Sequence, residues 1–469
     1  MERATDKMTG IPVERRSTIR YFHVMNQQQT IGLIRSAGVV GAGGAGFPTW
    51  RKLETPVERI LVNGAECEPL LSKDRELMLQ ASEDLFRGLV VMQALTGARH
   101  VTIAVKKKNS DVIDFLEQRI SKHQYDSHVL DDVYPSGDEY VLVYEVTGKR
   151  IPPRGIPPMV GCLVVNVETT VNVAHAVNRQ PVTQKWVTIC GAVAQPITTV
   201  VPVGTSFRDC ITLAGGSTTE DPVVLTGGVM MGGMETDLEL PVTKTIGGVI
   251  VLPRDHYIVG RKSTSQATYT RIGHGQCDQC SLCTELCPRY LLGYPIEPHR
   301  VMRTLLMTGS AKARGSLWAE HCCECNICSL VACPEGLDPK NICVDAKGIL
   351  REQNLTRGEE ELRQLFQDPH PVRKGREVPI SKLTQRLGLA AYDRKAQYYA
   401  KFLTPSHVTL PLNSHIGIPA QPMVQVGDQV AKGQILAEIP EDKLGCPVHS
   451  SIDGRVTAIN EQNIELTAL

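Results

Sequence analysis

Two cysteine-rich segments constrain the fold of this chain more than any other feature. The stretch CDQCSLCTELCP runs from Cys277 to Pro288, and CCECNICSLVACP runs from Cys322 to Pro334. In each, three cysteines are spaced C-x2-C-x2-C and a Cys-Pro pair follows. This spacing brings successive thiolates around one small inorganic core, and a more distant thiolate completes the ligand set. The pattern therefore predicts two metal centres in one largely helical module.

The spacing matches the bacterial ferredoxin run, in which the fourth cysteine of a run ligates the other cluster. We therefore predict two [4Fe–4S] clusters with exchanged fourth ligands. The first cysteine set is Cys277, Cys280, Cys283 and Cys333, and the second cysteine set is Cys322, Cys325, Cys328 and Cys287. Structural zinc is the alternative, because four thiolates also suit zinc, but zinc sites more often show paired C-x2-C knuckles. His321 and Cys323 fall outside the spacing and are predicted not to be ligands.

Composition narrows the class of protein further. With 469 residues, the chain is expected to form three or more domains. Fifty basic residues balance fifty acidic ones, which argues against binding to nucleic acid or anionic lipid. No apolar run reaches the roughly 18 residues of a membrane-spanning helix. The first 24 residues have no signal-peptide pattern and are interpreted as a tail or as an extension upstream of Met25.

The seven cysteines outside the two sets are interpreted as small core residues rather than as a disulfide framework. They are Cys67, Cys162, Cys190, Cys210, Cys323, Cys343 and Cys446. A chain with many unpaired thiols is typical of a reducing compartment, so a cytoplasmic location is predicted.

A glycine-rich segment from Gly38 to Leu53, GVVGAGGAGFPTWRKL, predicts a second kind of site. Glycines let backbone N–H groups close around an anionic ligand without a clashing side chain. Strands RILVN, VTIAV and CLVVNV then alternate with amphipathic helices, of which DRELMLQASEDLFRGLVVMQALTG is predicted to be one. This alternation predicts a mainly parallel, Rossmann-like sheet. The polar breaks NGAECEP, PSGDEY and NVETT are expected to meet at its carboxyl edge, where ligands bind.

These segments resemble a known family. GAGGAGFPT with its following lysine, NGAECEP with KDR, SGDE and NVET are similar to the NADH-binding flavoprotein subunit of respiratory complex I and the C subunit of the Rnf complex. The resemblance implies a noncovalent FMN on which NADH stacks. It places these residues at FMN: Gly41, Gly43, Gly44, Lys52, Asn63, Glu66, Gly137, Asp138, Asn166 and Thr169. It places Phe47, Glu68 and Glu139 at NADH.

Each of these residues taken alone also has an ordinary interpretation, as a solvated loop acid, a surface lysine, a turn residue or a helix cap. The four motifs in order favour the flavin site. One position departs from the complex I pattern, since Ala65 stands where that version has an acid.

Two further modules flank the cysteines. Trp186 to Leu252 alternates apolar and polar residues and resembles the soluble ligand-binding β-grasp domain of the same family, with GGVMMGG as a tight hairpin with core methionines. Whether this module binds a ligand or acts as a packing spacer is left open. The C-terminal segment resembles the two halves of a lipoyl-type barrel-sandwich. Lys443 lies near the prosthetic lysine of such domains, but EDKLGCPVH lacks a modification context, so an unmodified lysine is predicted.

The predicted fold class is multidomain α/β plus α+β. The predicted order is an N-terminal tail, a Rossmann-like FMN/NADH domain, a β-grasp domain, a two-[4Fe–4S] ferredoxin-like helical domain, a helical linker and a barrel-sandwich hybrid, at residues 1–28, 29–185, 186–255, 256–350, 351–402 and 403–469. This order resembles the cobalamin reductases of propanediol-utilisation bacterial microcompartments.

The resemblance implies an NADH-dependent oxidoreductase. A flavin reconciles the two-electron hydride of NADH with clusters that take one electron at a time. The implied acceptor is cobalamin, reduced towards cob(I)alamin for an adenosyltransferase, in a microcompartment with shell or enzyme partners. The sequence has no D-x-H-x-x-G corrin-binding pattern, so corrin contact is expected to be transient or on a partner. Two alternatives stay open: an electron-input subunit of an Rnf-like or other redox system, and a nonenzymatic carrier or scaffold.

Overall fold

The computed structural model describes residues 26–469, so most of the predicted N-terminal tail lies outside the described residues. Within that range, no helix combines the length and the apolar character that crossing a membrane requires. The chain is built from several sheets and helical groups along its length.

The N-terminal module is a parallel sheet with helices packed around it. Its strands are β1 (Arg59–Gly64), β2 (His100–Lys106), β3 (Asp126–Leu130) and β5 (Cys162–Asn166), in the order β3-β2-β1-β5. Its helices are α1 (Gln27–Ser36), α2 (Thr49–Leu53), α3 (Lys73–Gln80), α4 (Ser82–Thr96), α5 (Ser110–His123), α6 (Glu139–Thr147) and α7 (Val167–Val177). The strands β1, β2 and β5 are largely apolar and buried because helices cover the sheet, as the pattern predicts, whereas the edge strand β3, DSHVL, is mostly exposed.

One predicted helix is two in the structure. The stretch from Asp74 to Gly97 breaks at Ala81, whose φ of −117° and ψ of 29° leave the helical region. The second half, α4, packs so closely on α7 that a Cβ on Gly88 would lie 2.0 Å from the Thr170 carbonyl oxygen. Because of the break, α4 packs closely against α7 while α3 lies at the carboxyl edge of the sheet. Hydrophobic periodicity continues through the break, so it could not reveal it.

The second module is a mixed sheet of six strands. The strands are β6 (Gln184–Gly191), β7 (Ile197–Pro202), β8 (Pro222–Thr226), β9 (Gly233–Glu235), β10 (Gly248–Pro253) and β12 (Gln397–Tyr398), and helix α8 (Phe207–Leu213) packs against them. Their order across the sheet is β12-β7-β6-β10-β8-β9. GGVMMGG is a hairpin turn between β8 and β9, as predicted. Met230 is buried, but Met231 is exposed, so only one of the two methionines belongs to the core.

The cysteine-rich module is made of short helices. They are α9 (Tyr257–Lys262), α10 (Gln266–Gln276), α11 (Leu282–Glu285), α12 (Pro288–Leu291), α13 (Pro298–Arg303), α14 (Gly309–Ser316) and α15 (Pro339–Glu352). A single π-helical turn spans Cys328–Ala332, inside the second cysteine segment. Such turns occur frequently at functional sites.

The segment predicted as a helical linker is helical only in part. It contains α16 (Glu359–Leu365) and α17 (Ile380–Arg386), and between them β11 (Val378–Pro379) pairs with β4 (Val133–Tyr134) of the first module. Further on, β12 joins the edge of the second sheet beside β7. The segment therefore ties the first two modules to the cysteine-rich one.

The C-terminal module consists of two small sheets with a shared apolar core. Their strands are β13 (His407–Pro411), β14 (Gln421–Pro422), β15 (Gln429–Val430), β16 (Ile435–Glu438), β17 (Val448–His449), β18 (Gly454–Ile459) and β19 (Asn463–Ala468). This module touches the glycine-rich segment, since Ile416 N donates to Gly46 O at 2.9 Å. Lys443 is exposed and forms an ion pair with Asp442.

Candidate functional site

The polar breaks of the first module meet at the carboxyl edge of its sheet. Asn63 on β1 and Asn166 on β5 are register partners, so both residues lie near the carboxyl ends of adjacent strands. Asn63 Nδ2 donates to Gly137 O at 2.9 Å, and Asn166 Nδ2 donates to Asp74 Oδ2 at 2.9 Å. The predicted convergence of NGAECEP, PSGDEY and NVETT is confirmed at the level of the fold.

The glycine-rich segment closes over this edge. Gly41 N donates to Phe47 O at 2.9 Å, and Ala42 N donates to Thr169 Oγ1 at 2.9 Å, which fixes both ends of the turn. Gly43 and Gly44 are exposed between them. A Cβ on Gly43 would lie 3.3 Å from Asn166 Cβ, and Gly44 has a φ of 118° that favours glycine. The result is a backbone cradle without side chains, which fits the phosphate-bearing flavin that the sequence predicts.

Three residues predicted at the flavin and at NADH lie together at the mouth of this cradle. Lys52 Nζ is 3.3 Å from Glu139 Oε1 and 5.9 Å from the centroid of the Phe47 ring. The Lys52 and Glu139 side chains are both partly exposed. An aromatic ring, a cation and a carboxylate thus lie together beside the glycine-rich segment.

The predicted acids of NGAECEP make contacts within the chain. Glu66 accepts hydrogen bonds from Asp74 N at 2.8 Å and Arg75 N, at the start of α3. Burial and the neighbouring Asp74 carboxylate raise the pKa of Glu66 to about 7. Glu68 accepts from the backbone N–H groups of two residues in the hairpin turn of the second module, Met230 at 2.8 Å and Met231 at 2.9 Å. Glu68 therefore joins the loop after β1 to the second module.

Asp138, between β4 and α6, joins a second loop at this edge to the cysteine-rich module. Its Oδ1 caps α6 by accepting from Tyr140 N and Val141 N, and its Oδ2 accepts from Arg289 Nη2 at 2.7 Å. Burial opposes the charge of the Arg289 guanidinium, but Asp138 outweighs burial and raises the pKa of Arg289. Both oxygens of Asp138 are thereby occupied by the chain itself. The partly buried pair places Arg289, which follows Cys287-Pro288, against the loop that contains Gly137 and Asp138.

A buried network of charges lies beneath the cradle, and the sequence did not reveal it. The Glu168 carboxylate accepts hydrogen bonds from Lys73 Nζ at 2.9 Å, from Trp186 N at 3.0 Å and from Lys185 Nζ. Lys185 Nζ also donates to Ala42 O in the glycine-rich segment at 3.0 Å. Burial lowers the pKa of Lys185 to about 8, and the two ammonium groups overcome burial to lower the pKa of Glu168. KDR and NVET contain Lys73 and Glu168, but nothing local indicates that Lys185 joins them.

The first cysteine set surrounds one cavity. An open cavity of about 310 Å³ is lined by all four of its members together with Asp278, Gln279, Ser281, His299, Met302, Leu337 and Pro339. Cys280 is exposed at its rim, whereas Cys283 is buried. Gln279 Nε2 donates to Cys277 Sγ at 3.1 Å, and Leu337 N donates to Cys333 Sγ at 3.3 Å. The structure groups Cys333 with the first triplet, which agrees with the predicted exchange of the fourth ligand.

The second cysteine set is more enclosed. Cys287, Cys325 and Cys328 are buried, and Cys322 is partly buried. Cys287 belongs to an apolar cluster against which Cys322 packs, and burial together with the neighbouring Cys323 and Cys322 thiols raises the pKa of Cys287. Glu324 N donates to Cys322 Sγ at 3.4 Å, the N–H···S contact expected of a cluster-binding loop.

The two triplets have the same backbone conformation. The second residue after the first cysteine and the first residue after the second cysteine adopt positive φ in both. These are Gln279 (60°) and Ser281 (63°) in the first triplet, and Glu324 (60°) and Asn326 (67°) in the second. Left-handed residues at matching positions turn each chain tightly enough for its thiols to face a common centre. The repeat seen in the sequence is therefore also a repeat in backbone geometry.

Two further thiols adjoin the second set. A hydrogen bond between the Cys343 and Cys322 thiols lowers the pKa of Cys322 to about 7, and a hydrogen bond with Cys323 raises the pKa of Cys325. Cys343 is buried, as predicted, but its contact with Cys322 was not foreseen. Within residues 26–469, no group of three or more His, Cys, Asp or Glu side chains is placed so that it could hold a single metal ion. The chemistry of the two thiol sets and the cavity of the first fit the clusters that the spacing predicts.

Models of four protein families match the chain in the order of its modules. A Nuo51 FMN-binding domain matches residues 34–175, and an SLBB domain matches 186–232. A 4Fe-4S dicluster domain matches 276–338, and an RnfC barrel sandwich hybrid domain matches 391–468. Fold and site therefore define a flavin and iron–sulfur protein, of the class of NADH-dependent oxidoreductases.

Comparison with individual proteins narrows the class to one family. The cobalamin reductase PduS of Salmonella typhimurium is 44% identical over 436 residues, which cover 92% of this chain and 94% of the relative. The cobalamin reductase PduS of Citrobacter freundii is 42% identical over the same coverage. The chain belongs to this cobalamin reductase family. The C subunit of the proton-translocating ferredoxin:NAD(+) oxidoreductase complex of Clostridium ljungdahlii is 31% identical over 288 residues, which cover 60% of this chain and 59% of the relative.

Proposed function

We propose that this protein transfers electrons from NADH through one FMN and two [4Fe–4S] clusters to cobalamin, which it reduces from the cob(III) or cob(II) state to cob(I)alamin. The similarity over 92% of the chain to proteins named cobalamin reductase is the observation that carries the proposal. The domain boundaries and site residues predicted from the sequence belong to this proposal as well.

The electron count sets what the cofactors must do. NADH loses a hydride, which amounts to two electrons and one proton, whereas each cob(II)alamin accepts one electron. One NADH therefore reduces two cob(II)alamin molecules. A bound flavin supplies the chemistry that accepts a hydride and releases single electrons, and thiolate-ligated clusters carry electrons singly.

The chain's own residues provide binding and orientation rather than acid–base catalysis. The cradle at Gly43 and Gly44, with Asn63 and Asn166 beneath it, would hold FMN and offers backbone N–H groups to an anionic group of the cofactor. Lys52, Phe47 and Glu139 border the side on which NADH enters. The two cysteine sets would hold the clusters, and the burial of Cys287, Cys325 and Cys328 would limit the access of water to the second one.

The place of the reaction in the cell is part of the proposal. Cob(I)alamin is the form that an adenosyltransferase alkylates, so such an enzyme would consume the product. A propanediol-utilisation microcompartment with its shell or enzyme partners is the proposed location. The similarity to one component of a ferredoxin:NAD(+) oxidoreductase complex supports a second candidate, an electron-input subunit for another acceptor.

The test is anaerobic turnover of the full chain, reconstituted with FMN and iron–sulfur clusters, with NADH and cob(II)alamin. The absorbance of cob(I)alamin should rise by two equivalents for each NADH consumed. The matched control is the same chain without reconstituted clusters. Flavin that bleaches with NADH while cob(II)alamin stays unchanged would reject the cobalamin assignment and favour the electron-input candidate.

A further inference from the structure

The two cysteine sets differ in what surrounds them, and this difference bears on the order in which they receive electrons. Every residue that lines the cavity of the first set lies between Cys277 and Pro339, inside the cysteine-rich module, and Cys280 is exposed at its rim. The second set is instead joined to the flavin loops by three separate side-chain contacts.

The first contact is made by Tyr134. Its side chain is 2% exposed, and its Oη donates to Cys325 O at 2.8 Å. Three residues later, Gly137 accepts the hydrogen bond of Asn63 at the flavin edge. Tyr134 also belongs to one apolar cluster with Cys325, Ile327 and Cys67. Tyr134, at the end of β4 and three residues before Gly137, thus contacts the loop that carries a ligand of the second set.

The second contact passes through GGVMMGG, the hairpin turn between β8 and β9 of the second module. Asn326, the residue after Cys325, donates through Nδ2 to Met230 O at 3.2 Å. Met230 N in turn donates to Glu68 Oε2 at 2.8 Å. Glu68 follows the end of β1 in the flavin loop. This chain of hydrogen bonds therefore fixes the second triplet relative to the loop after β1, a different segment from the one that carries Tyr134.

The third contact is the partly buried ion pair between Arg289 and Asp138, whose side chains are 12% and 11% exposed. Arg289 lies two residues after Cys287, the fourth member of the second set, and its guanidinium carbon is 3.6 Å from the centroid of the Tyr140 ring. Asp138 follows Gly137 directly and caps α6. The second set is thus held against the flavin loops at Cys325 and at Cys287, which come from different cysteine segments.

We infer, on the basis of the proposed function, that the second cysteine set holds the cluster next to the flavin, that Tyr134 is its positioning residue, and that the first set, open at Cys280, holds the cluster from which electrons leave the protein. Tyr134 acts through the backbone of Cys325 rather than by touching the cofactors. A hydroxyl that points at a ligand loop also bears on the cluster's potential, because hydrogen bonds around a cluster tune it.

The order of the clusters is tested by removing them one at a time from the reconstituted full chain. Cys325→Ser removes the second cluster and Cys280→Ser removes the first, and each variant is mixed rapidly with NADH and frozen for paramagnetic-resonance spectra. In Cys280→Ser the remaining cluster should be reduced at the wild-type rate. In Cys325→Ser the flavin should bleach while the remaining cluster stays oxidised over the same time, although dithionite still reduces it.

The reverse pattern, or equal rates in both variants, would overturn the inference. Failure of the flavin in the wild-type chain to bleach with NADH would instead be a failure of the proposed function, so the two are distinguishable.

The positioning role is tested with Tyr134→Phe, which keeps the ring and removes only the hydroxyl. Tyr294→Phe is the matched control, because Tyr294 is equally buried and donates across the same junction of modules, to Ile151 O at 2.6 Å. We expect Tyr134→Phe to move the spectrum and midpoint potential of the second cluster and leave those of the first unchanged. Its flavin-to-cluster rate should fall, by at most about 100-fold, the loss that a 1 Å misplacement can cause.

Tyr294→Phe should change neither the spectrum nor the rate. If both variants lower the melting temperature equally and Tyr134→Phe leaves the second cluster's spectrum, potential and rate at wild-type values, Tyr134 is only a structural residue and the inference is wrong.

Discussion

Lys185 and Glu168 form a buried ion pair directly beneath the glycine-rich cradle, with both side chains 1% exposed. Lys185 is the second residue of β6, in the second module, and Glu168 is the second residue of α7, in the first module. The pair therefore couples the junction of two modules to Ala42, the residue whose carbonyl Lys185 also contacts. Retention of FMN should depend on this junction although neither residue is among those predicted to contact the flavin.

Glu168→Gln tests this dependence. The change leaves the ammonium groups of Lys73 and Lys185 buried without their shared carboxylate, which should cost about 3–5 kcal/mol of unfolding free energy. Urea titration and the FMN content of the purified chain measure the two effects. Glu239→Gln is the control, since the Glu239–Arg208 pair is exposed and should contribute at most about 1 kcal/mol. Equal, small losses in both variants would contradict the assigned role.

Gly43→Ala should weaken FMN binding without unfolding the chain. The added Cβ would lie 3.3 Å from Asn166 Cβ and would narrow the cradle, whereas the backbone of Gly43 does not require glycine. Gly32→Ala in α1 is the matched control, because a Cβ there meets nothing within 4 Å. We expect it to be neutral or stabilising by up to about 1 kcal/mol. Fluorescence titration of the apoprotein with FMN measures the affinity, and equal affinities in both variants would exclude a cradle at Gly43.

Glu66 should give the apoprotein a specific pH dependence of stability. Burial and Asp74 raise its pKa from 4.5 to about 7, so the folded chain binds this proton more tightly than the unfolded chain. The resulting stabilisation is complete below about pH 4.5, falls as pH rises and is lost above about pH 7. It should amount to a loss on the order of 1–3 kcal/mol across this window. Urea midpoints of wild type and Glu66→Gln should diverge there, and parallel curves would contradict the shift.

The two ligand sets make a prediction about iron content. Cys283→Ser should lose the first cluster and with it about half of the bound iron, because each set holds one cluster. Cys323→Ser should keep all of its iron, since Cys323 lies outside the ligand spacing even though it contacts Cys325. Iron and acid-labile sulfide of the anaerobically reconstituted chains give the answer. If Cys323→Ser loses as much iron as Cys283→Ser, the ligand assignment is wrong.

Local patterns predicted the elements well, because hydrophobic period and turn residues are local properties. VTIAV, predicted as a strand over 101–105, is part of β2 (His100–Lys106), and RILVN, also predicted as a strand, lies within β1 (Arg59–Gly64). The convergence of Asn63, Gly137 and Asn166 also followed, because carboxyl ends of parallel strands share one edge. The two cysteine segments share one spacing, and the structure gives them positive φ angles at matching positions.

What the sequence could not give depends on contacts between modules. Lys185 meets Glu168 only because β6 packs against the flavin module, and Tyr134 meets Cys325 across 191 residues. The strand β12 joins a sheet whose other members end at Pro253, which no local period indicates. The break of the predicted helix at Ala81 likewise reflects tertiary packing of α4 on α7, which overrides a continuous apolar stripe.

The relay from NADH to two clusters is tested most directly by an anaerobic NADH titration of the reconstituted full chain, followed by visible and paramagnetic-resonance spectra. One FMN takes two electrons and two clusters take one each, so full reduction consumes about two NADH per chain. The flavin should bleach and both cluster signals should develop before this end point. A chain that holds zinc in its thiol sets, binds no flavin, or shows flavin bleaching without any cluster signal would contradict the relay.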